Sequence, residues 1–233
     1  MTSLSTIRAR SDWRDIIEGQ PQHLGLALLL TVGAFALLSP ADEGPRLLWL
    51  TAPQWAKISI ILAIVHQVVV AFVFRLQLHR ALLSRILGER DLEIWTRIFL
   101  PLLVARPVTV ILTGWADDTS LNEPRWAEWL VGVAFIGLAG WVMHSVFKYF
   151  TIRRAVGGDH FRDEIVRMPM VSEGAFKFTS NAMYGLAFLG MWGIALVFDS
   201  WNALVVAFFQ HCYIWVHWYC TEKPDMEWLY GNR

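Results

Sequence analysis

The chain alternates between long apolar runs and shorter stretches rich in charge, glycine and turn-forming residues. A helix that crosses the hydrocarbon core needs about 20 mostly apolar residues, because its backbone groups must be satisfied within the segment. On that criterion the pattern predicts spans at 23–39, 56–74, 97–115, 127–147, 182–198 and 201–219. Only Asp199 and Ser200 separate the last two, which predicts a tight helical hairpin. No sustained strand alternation, internal repeat or low-complexity segment interrupts the pattern. The expected fold is therefore all-α, a polytopic integral membrane protein with about six transmembrane helices. Its parts are a polar N-terminal segment (1–22), four spans (23–149), and a C-terminal part with a loop, the hairpin and a tail (150–233).

Composition agrees: 55% of the 233 residues are hydrophobic, only 17% are charged, and 13 are tryptophan, which is too apolar for a soluble domain of this size. A formal net charge of zero gives no reason to expect a nucleic-acid partner, so the distribution of charge carries the information. Arg75, Arg80, Arg85, Arg90 and Arg97 gather in the second connection, and Lys148, Arg153, Arg154, Arg162, Arg167 and Lys177 in the fourth. The first connection sets Arg46 and Lys57 against Asp42 and Glu43, and the third sets Arg125 among Asp117, Asp118, Glu123 and Glu128. Because Lys and Arg accumulate in cytoplasmic loops, both termini are expected in the cytoplasm. Residues 1–22 carry six charges and no signal-peptide pattern, which predicts a short amphipathic helix on the membrane surface. Trp49, Trp55, Trp115, Trp126, Trp129 and Trp201 fall at predicted outer boundaries and read as interfacial anchors. Cys212 and Cys220 lie on one helix roughly 12 Å apart, beyond disulfide reach, and are expected as free thiols.

Two polar stretches stand out: residues 157–185, G-G-D-H-F-R-D-E-I-V-R-M-P-M-V-S-E-G-A-F-K-F-T-S-N-A-M-Y-G, and residues 221–231, T-E-K-P-D-M-E-W-L-Y-G. Gly157-Gly158-Asp159 suits either a helix end or a turn approached closely by a ligand, with the carboxylate available to ribose hydroxyls. Ser180 or Asn181 is expected to cap the fifth span, whose free amides also suit an anion. In the sixth span, helical spacing aligns His211, Trp215, Trp218 and Glu222. That stripe is either an interfacial belt or a wall of aromatic faces and one carboxylate for a cationic amine or sulfonium. His66-Gln67, Arg106-Pro107 and His144 are polar positions within other spans and suit either helix-to-helix bonding or a shared cavity. The cost of desolvating Arg106 calls for a carboxylate, a phosphate or water as partner. No metal-ligand pattern is present.

Taken in order, G-G-D-H-F, R-M-P, F-K-F-T-S-N-A-M-Y-G and C-T-E-K-P-D-M-E-W-L-Y-G resemble the phospholipid N-methyltransferase family, within the wider superfamily of isoprenylcysteine carboxyl methyltransferases. The resemblance covers about residues 150–231. It implies binding of S-adenosylmethionine by Gly157, Gly158, Asp159, Asn181, Met183, Tyr184, Gly185 and Glu222. Two positions depart from the family: Ala182 replaces the usual proline, and Thr221 replaces the first acid of a pair, leaving Glu222 alone.

The implied activity is methylation of phosphatidylethanolamine toward phosphatidylcholine by a membrane-embedded enzyme. Its active site is expected to face the cytoplasm, in a bacterial inner membrane or the endoplasmic reticulum. Methyl transfer to nitrogen requires a neutral amine, so a base must take the ammonium proton. Glu222 is expected in that role, with His217 or His211 as relay, Trp215 and Trp218 at the cationic head group, and Arg106 or Arg167 at the lipid phosphate. Other readings are the same donor with a thiol or carboxylate acceptor, an NADPH-binding protein like the sterol reductases, and a transporter or structural membrane protein without enzymatic activity. No feature of the sequence fixes an oligomeric state.

Overall fold

The computed structural model describes residues 3–39, 44–121 and 124–231. Asp42, Glu43 and Glu123, which the charge pattern counts on the outer side, lie outside the described residues. The elements are helical throughout: α1 (Leu4–Arg10), α2 (Trp13–Ile17), α3 (Gln20–Leu37), α4 (Ala52–Arg80), α5 (Leu82–Leu87), α6 (Asp91–Trp115) and α7 (Arg125–Ser145) come first. They are followed by α8 (Ile152–Ala155), α9 (Asp163–Val166), α10 (Ala182–Gly185), α11 (Leu189–Phe198), α12 (Trp201–His217) and α13 (Lys223–Tyr230). The sole β feature among the described residues is an isolated bridge between Leu47 and Leu50.

Among the described residues, four helical stretches are long and apolar enough to cross a membrane: Trp13–Leu37, Ala52–Arg80, Leu82–Trp115 and Arg125–Phe150. The fifth and sixth predicted spans correspond to shorter elements, the broken pair α10 and α11 and the 17-residue α12. These two are packed inside the bundle. α11 lies along α7, and α12 is surrounded by α3, α4, α6 and α11. The α7–α11 crossing is close because Gly132 and Gly193 face each other. A Cβ on Gly193 would stand 2.5 Å from the Gly132 carbonyl oxygen, the small-residue contact typical of membrane helices. Exposed leucines along α3 and the outward tryptophans Trp49, Trp115, Trp126 and Trp129 fit lipid contact and an interfacial belt.

Several helices outrun the predicted spans for reasons apolar periodicity does not register. α4 continues from 74 to 80 because Arg75, Gln77 and His79 find partners in Asp225, Ser84 and Ser11. α6 starts at Asp91, whose carboxylate sits at the helix N-terminus and is bound by Arg162 at 2.5 Å. At one end of the bundle, Asp117 accepts bonds from Ser200, the Asn202 amide and the Asn202 side chain at 2.5, 3.0 and 3.0 Å, tying the hairpin turn to α6.

At the opposite end, the N-terminal helices are docked onto the tail. Leu4 and Ile7 share a core with Leu78, Val166 and Leu229. Gln20 Nε2 reaches the Cys220 carbonyl at 3.3 Å and Thr221 Oγ1 at 3.2 Å. The surface helix expected over 1–22 is thus two short helices and the start of α3, closing one side of the basic end. Cys212 and Cys220 are free.

Candidate active site

The two polar stretches meet at this basic end. α8 terminates at Gly157, whose φ of +78° is the left-handed conformation common after a helix. A Cβ at Gly157 would lie 2.2 Å from the Phe74 ring, and one at Gly158 would lie 2.3 Å from the Arg153 carbonyl oxygen. Both glycines therefore permit close approach of the loop to the chain's own α4 and α8. The next residues lock the loop to the tail. His160 Nδ1 is 2.9 Å from Asp159 and its Nε2 is 3.2 Å from Asp225, while its ring stacks on Phe74 at 4.2 Å. Asp225 also binds Arg75 at 2.6 Å, and Tyr230 donates to Asp159 at 3.1 Å.

Burial opposes the charge on His160, but Asp159 and Asp225 outweigh it and hold the imidazolium up to about 10. Burial likewise opposes the Asp159 carboxylate, yet His160 and Tyr230 keep it below the ordinary carboxylate range. A histidine raised in the folded state stabilises the fold fully below its unfolded pKa of about 6.5. That contribution disappears as pH climbs through about 10. Thermal stability of the purified protein in detergent is therefore expected to fall between pH 7 and pH 10, and less steeply in Asp225→Asn. A flat profile in the unsubstituted protein would exclude a charged His160.

The tail itself is a continuation of α12 through a π-helical turn over Trp218–Glu222. A five-residue separation puts two side chains on different faces of a regular α-helix, but the wider turn realigns them. Glu222 Oε1 consequently stands 3.4 Å from His217 Nε2, a contact without hydrogen-bond alignment. The Tyr184 hydroxyl donates to Glu222 Oε2. Trp215 stands edge-on to Tyr184 at 6.3 Å and to Trp218 at 5.9 Å. Asp159 lies within electrostatic range of the Tyr184 hydroxyl, which links loop, helix start and tail in one cluster.

His211 is bonded by the Trp192 indole at 3.0 Å, and eleven residues of helical rise, about 16 Å, separate it from Glu222. The structure thus brings His217, and not His211, to the carboxylate. Asn181 precedes α10, but its side chain makes no capping bond; instead Thr179 Oγ1 accepts the Asn181 amide at 3.3 Å. Met183 packs against a core containing Val142 and Phe176. Gly185 opens onto free space, with no atom within 4 Å of an added Cβ. Directly beyond it the fifth span breaks at 186–188 before α11 begins. Thr221, at the position of the missing acid, is buried against Gln20. Arg106 is buried among α6, α11 and α12, whereas Arg167 and His144 are exposed.

The Arg75–Asp225–His160 knot escapes the apolar pattern, because each member sits at the edge of a stretch that reads as loop or span. One signal was present: a carboxylate one helical turn beyond Glu222 in K-P-D-M-E.

The phospholipid methyltransferase family matches residues 127–233. The chain is 26% identical over 125 residues to a phosphatidylethanolamine N-methyltransferase of Lodderomyces elongisporus, covering 52% of this chain and 14% of that relative. It is 29% identical over 119 residues to that of Meyerozyma guilliermondii, covering 49% and 13%. For Debaryomyces hansenii the figures are 28% over 121 residues, covering 49% and 14%. The match thus spans about one seventh of the length of these curated relatives. No solved structure matches. A methyl donor is implied by this family, and the matched region contains both polar stretches together with Tyr184, His217 and Glu222. Residues 127–233 of this integral membrane protein carry its similarity to the phospholipid methyltransferase family.

Proposed function

We propose that the chain methylates the amine of phosphatidylethanolamine, toward phosphatidylcholine, with S-adenosylmethionine as donor. The observation that carries this reading is Glu222, held between the Tyr184 hydroxyl and the His217 ring where loop and tail converge. Glu222 accepts the ammonium proton so that the nitrogen lone pair is free, and His217 stands ready to pass that proton on. Tyr184 fixes the carboxylate's second oxygen and so its direction. The partly exposed faces of Trp215 and Trp218 favour the positive charge that the product keeps.

The residues fit a donor at the Tyr184–Gly185–Glu222 end, where Gly185 leaves open space beside a carboxylate and a phenol. The backbone of 181–185 with Met183 would hold it there, and Gly157, Gly158 and Asp159 would form the wall behind. When bound, S-adenosylmethionine supplies an electrophilic methyl group on a cationic sulfur. What the chain adds is positioning and exclusion of bulk water, which is where most of the rate for such a displacement originates.

The arginines of the basic end favour a cytoplasmic location for it, with the donor side in water and the acceptor side in the leaflet. Either a bacterial inner membrane or the endoplasmic reticulum suits that arrangement.

Expression in a host that lacks methylated ethanolamine lipids, followed by lipid mass spectrometry, tests the proposal. Mono-, di- or trimethylated species are the expected result. Label from the donor found only on protein or in volatile products would replace the lipid acceptor with another.

A further inference from the structure

Polar side chains two helical turns apart line the interior where α4, α6 and α12 face one another: Ser59 and His66 on α4, Gln210 and His217 on α12, and Arg106 between the two levels on α6. The first level is saturated. Gln210 Oε1 accepts Arg106 Nε at 2.8 Å, Gln210 Nε2 donates to Ser59 at 3.0 Å, and Ser59 bonds Thr109 at 2.7 Å.

The second level is not. Arg106 Nη2, both ring nitrogens of His66 and both of His217 are buried without a hydrogen-bond partner. Arg106 is 1% exposed, His66 2% and His217 0%, so bulk water does not satisfy them. His66 lies within electrostatic range of both Arg106 and His217, on helices that pack against one another. No ion pair among the described residues involves Arg106.

A guanidinium enclosed at membrane depth and left with a free donor calls for a carboxylate, a phosphate or water, and an orphaned buried donor in a native fold needs such a partner. Its fork suits a group with several acceptor oxygens. The Arg106 guanidinium also borders the break in the fifth predicted span, lying 5.1 Å over the partly exposed Phe188 ring between α10 and α11. His217, in turn, touches Glu222.

We propose that Arg106, His66 and His217 form the subsite for the phosphodiester of the acceptor lipid. This rests on the phospholipid reading above and deepens it. The head group would pass inward beside Phe188, leave its phosphate among these three side chains and present its amine to Glu222. His66 and Arg106 both precede the residues that match the family, so on this assignment the N-terminal half completes the site.

Purified full-length protein in detergent, without any methyl donor, provides the test. Dioctanoyl phosphatidylethanolamine is expected to raise the melting temperature of the unsubstituted protein and of His144→Leu, a control on an exposed surface. His66→Leu and Arg106→Lys are expected to lose that shift. In turnover assays both are expected to raise the lipid KM about tenfold or more, with the donor KM unchanged. Arg106→Lys retains the buried charge and serves if the leucine variant does not fold.

Equal lipid-induced shifts in the variants and the unsubstituted protein would overturn the proposal. So would equal stabilisation by dioctanoylglycerol, stabilisation by inorganic phosphate but not by the lipid, or a change in the donor KM alone. A His66-dependent shift without any methylated product would uphold the subsite while ending the proposed activity.

Discussion

Asp225→Ala is expected to lower the stability of the protein by about 3–5 kcal/mol, the usual cost of removing one partner from a buried ion pair. Asp225 is wholly buried, and it faces Arg75 at 2.6 Å and His160 at 3.2 Å. Without it, Arg75, only 2% exposed, keeps the Glu18 carbonyl at 2.6 Å but loses its countercharge. The origin of the loss is the stranded cation rather than the strength of the pair, so a second substitution distinguishes the two. Arg75→Met in the Asp225→Ala background is expected to recover most of the lost stability. Chemical denaturation in a fixed detergent measures both. If the single variant unfolds at the same denaturant concentration as the unsubstituted protein, the knot contributes nothing to holding loop, tail and N-terminal helices together.

How far the sequence reveals this arrangement depends on the range of the forces involved. Apolar run length is a local property, and it locates helices at all six predicted spans to within several residues. Charge in the connections is also local, and it identifies the end where 157–161, 222–230 and the N-terminal helices gather. What local signals miss is set by contacts distant in sequence. Arg75 reads as the first residue of a basic loop, yet it belongs to α4 because Asp225, 150 positions away, neutralises it. Residues 1–22 read as a surface segment because nothing local reports the groove beside Cys220, where Gly19 stands so close that a Cβ would lie 2.1 Å from the carbonyl oxygen.

The π turn is a third case. Helical periodicity aligns His211, Trp215, Trp218 and Glu222, and each of the four is partly exposed. Regular spacing, however, does not pair His217 with Glu222; the insertion at 218–222 does. The same turn accounts for the single acid. Thr221 points toward Gln20 and the N-terminal helices, a buried position where an ionised carboxylate would need a cationic partner.

Glu222→Gln is expected to reduce kcat about 10²- to 10⁴-fold, the range associated with loss of a general base. The amide matches the carboxylate in shape, still accepts the Tyr184 hydrogen bond through its oxygen, and leaves the π turn intact. Binding of lipid and donor should therefore change little, and the loss should fall on kcat rather than KM. Tyr184→Phe separates orientation from proton transfer: the base remains beside His217 but is free to rotate, so a smaller reduction of about tenfold is expected. His217→Asn removes the onward acceptor while keeping a polar side chain, and should reduce turnover most when the bulk base concentration is low. Incorporation of labelled methyl groups into phosphatidylethanolamine, measured with purified variants whose melting temperatures match the unsubstituted protein, reads all three. Near-normal turnover by Glu222→Gln would leave proton removal to solvent and reduce Tyr184, His217 and Glu222 to a structural contact between α10 and α12.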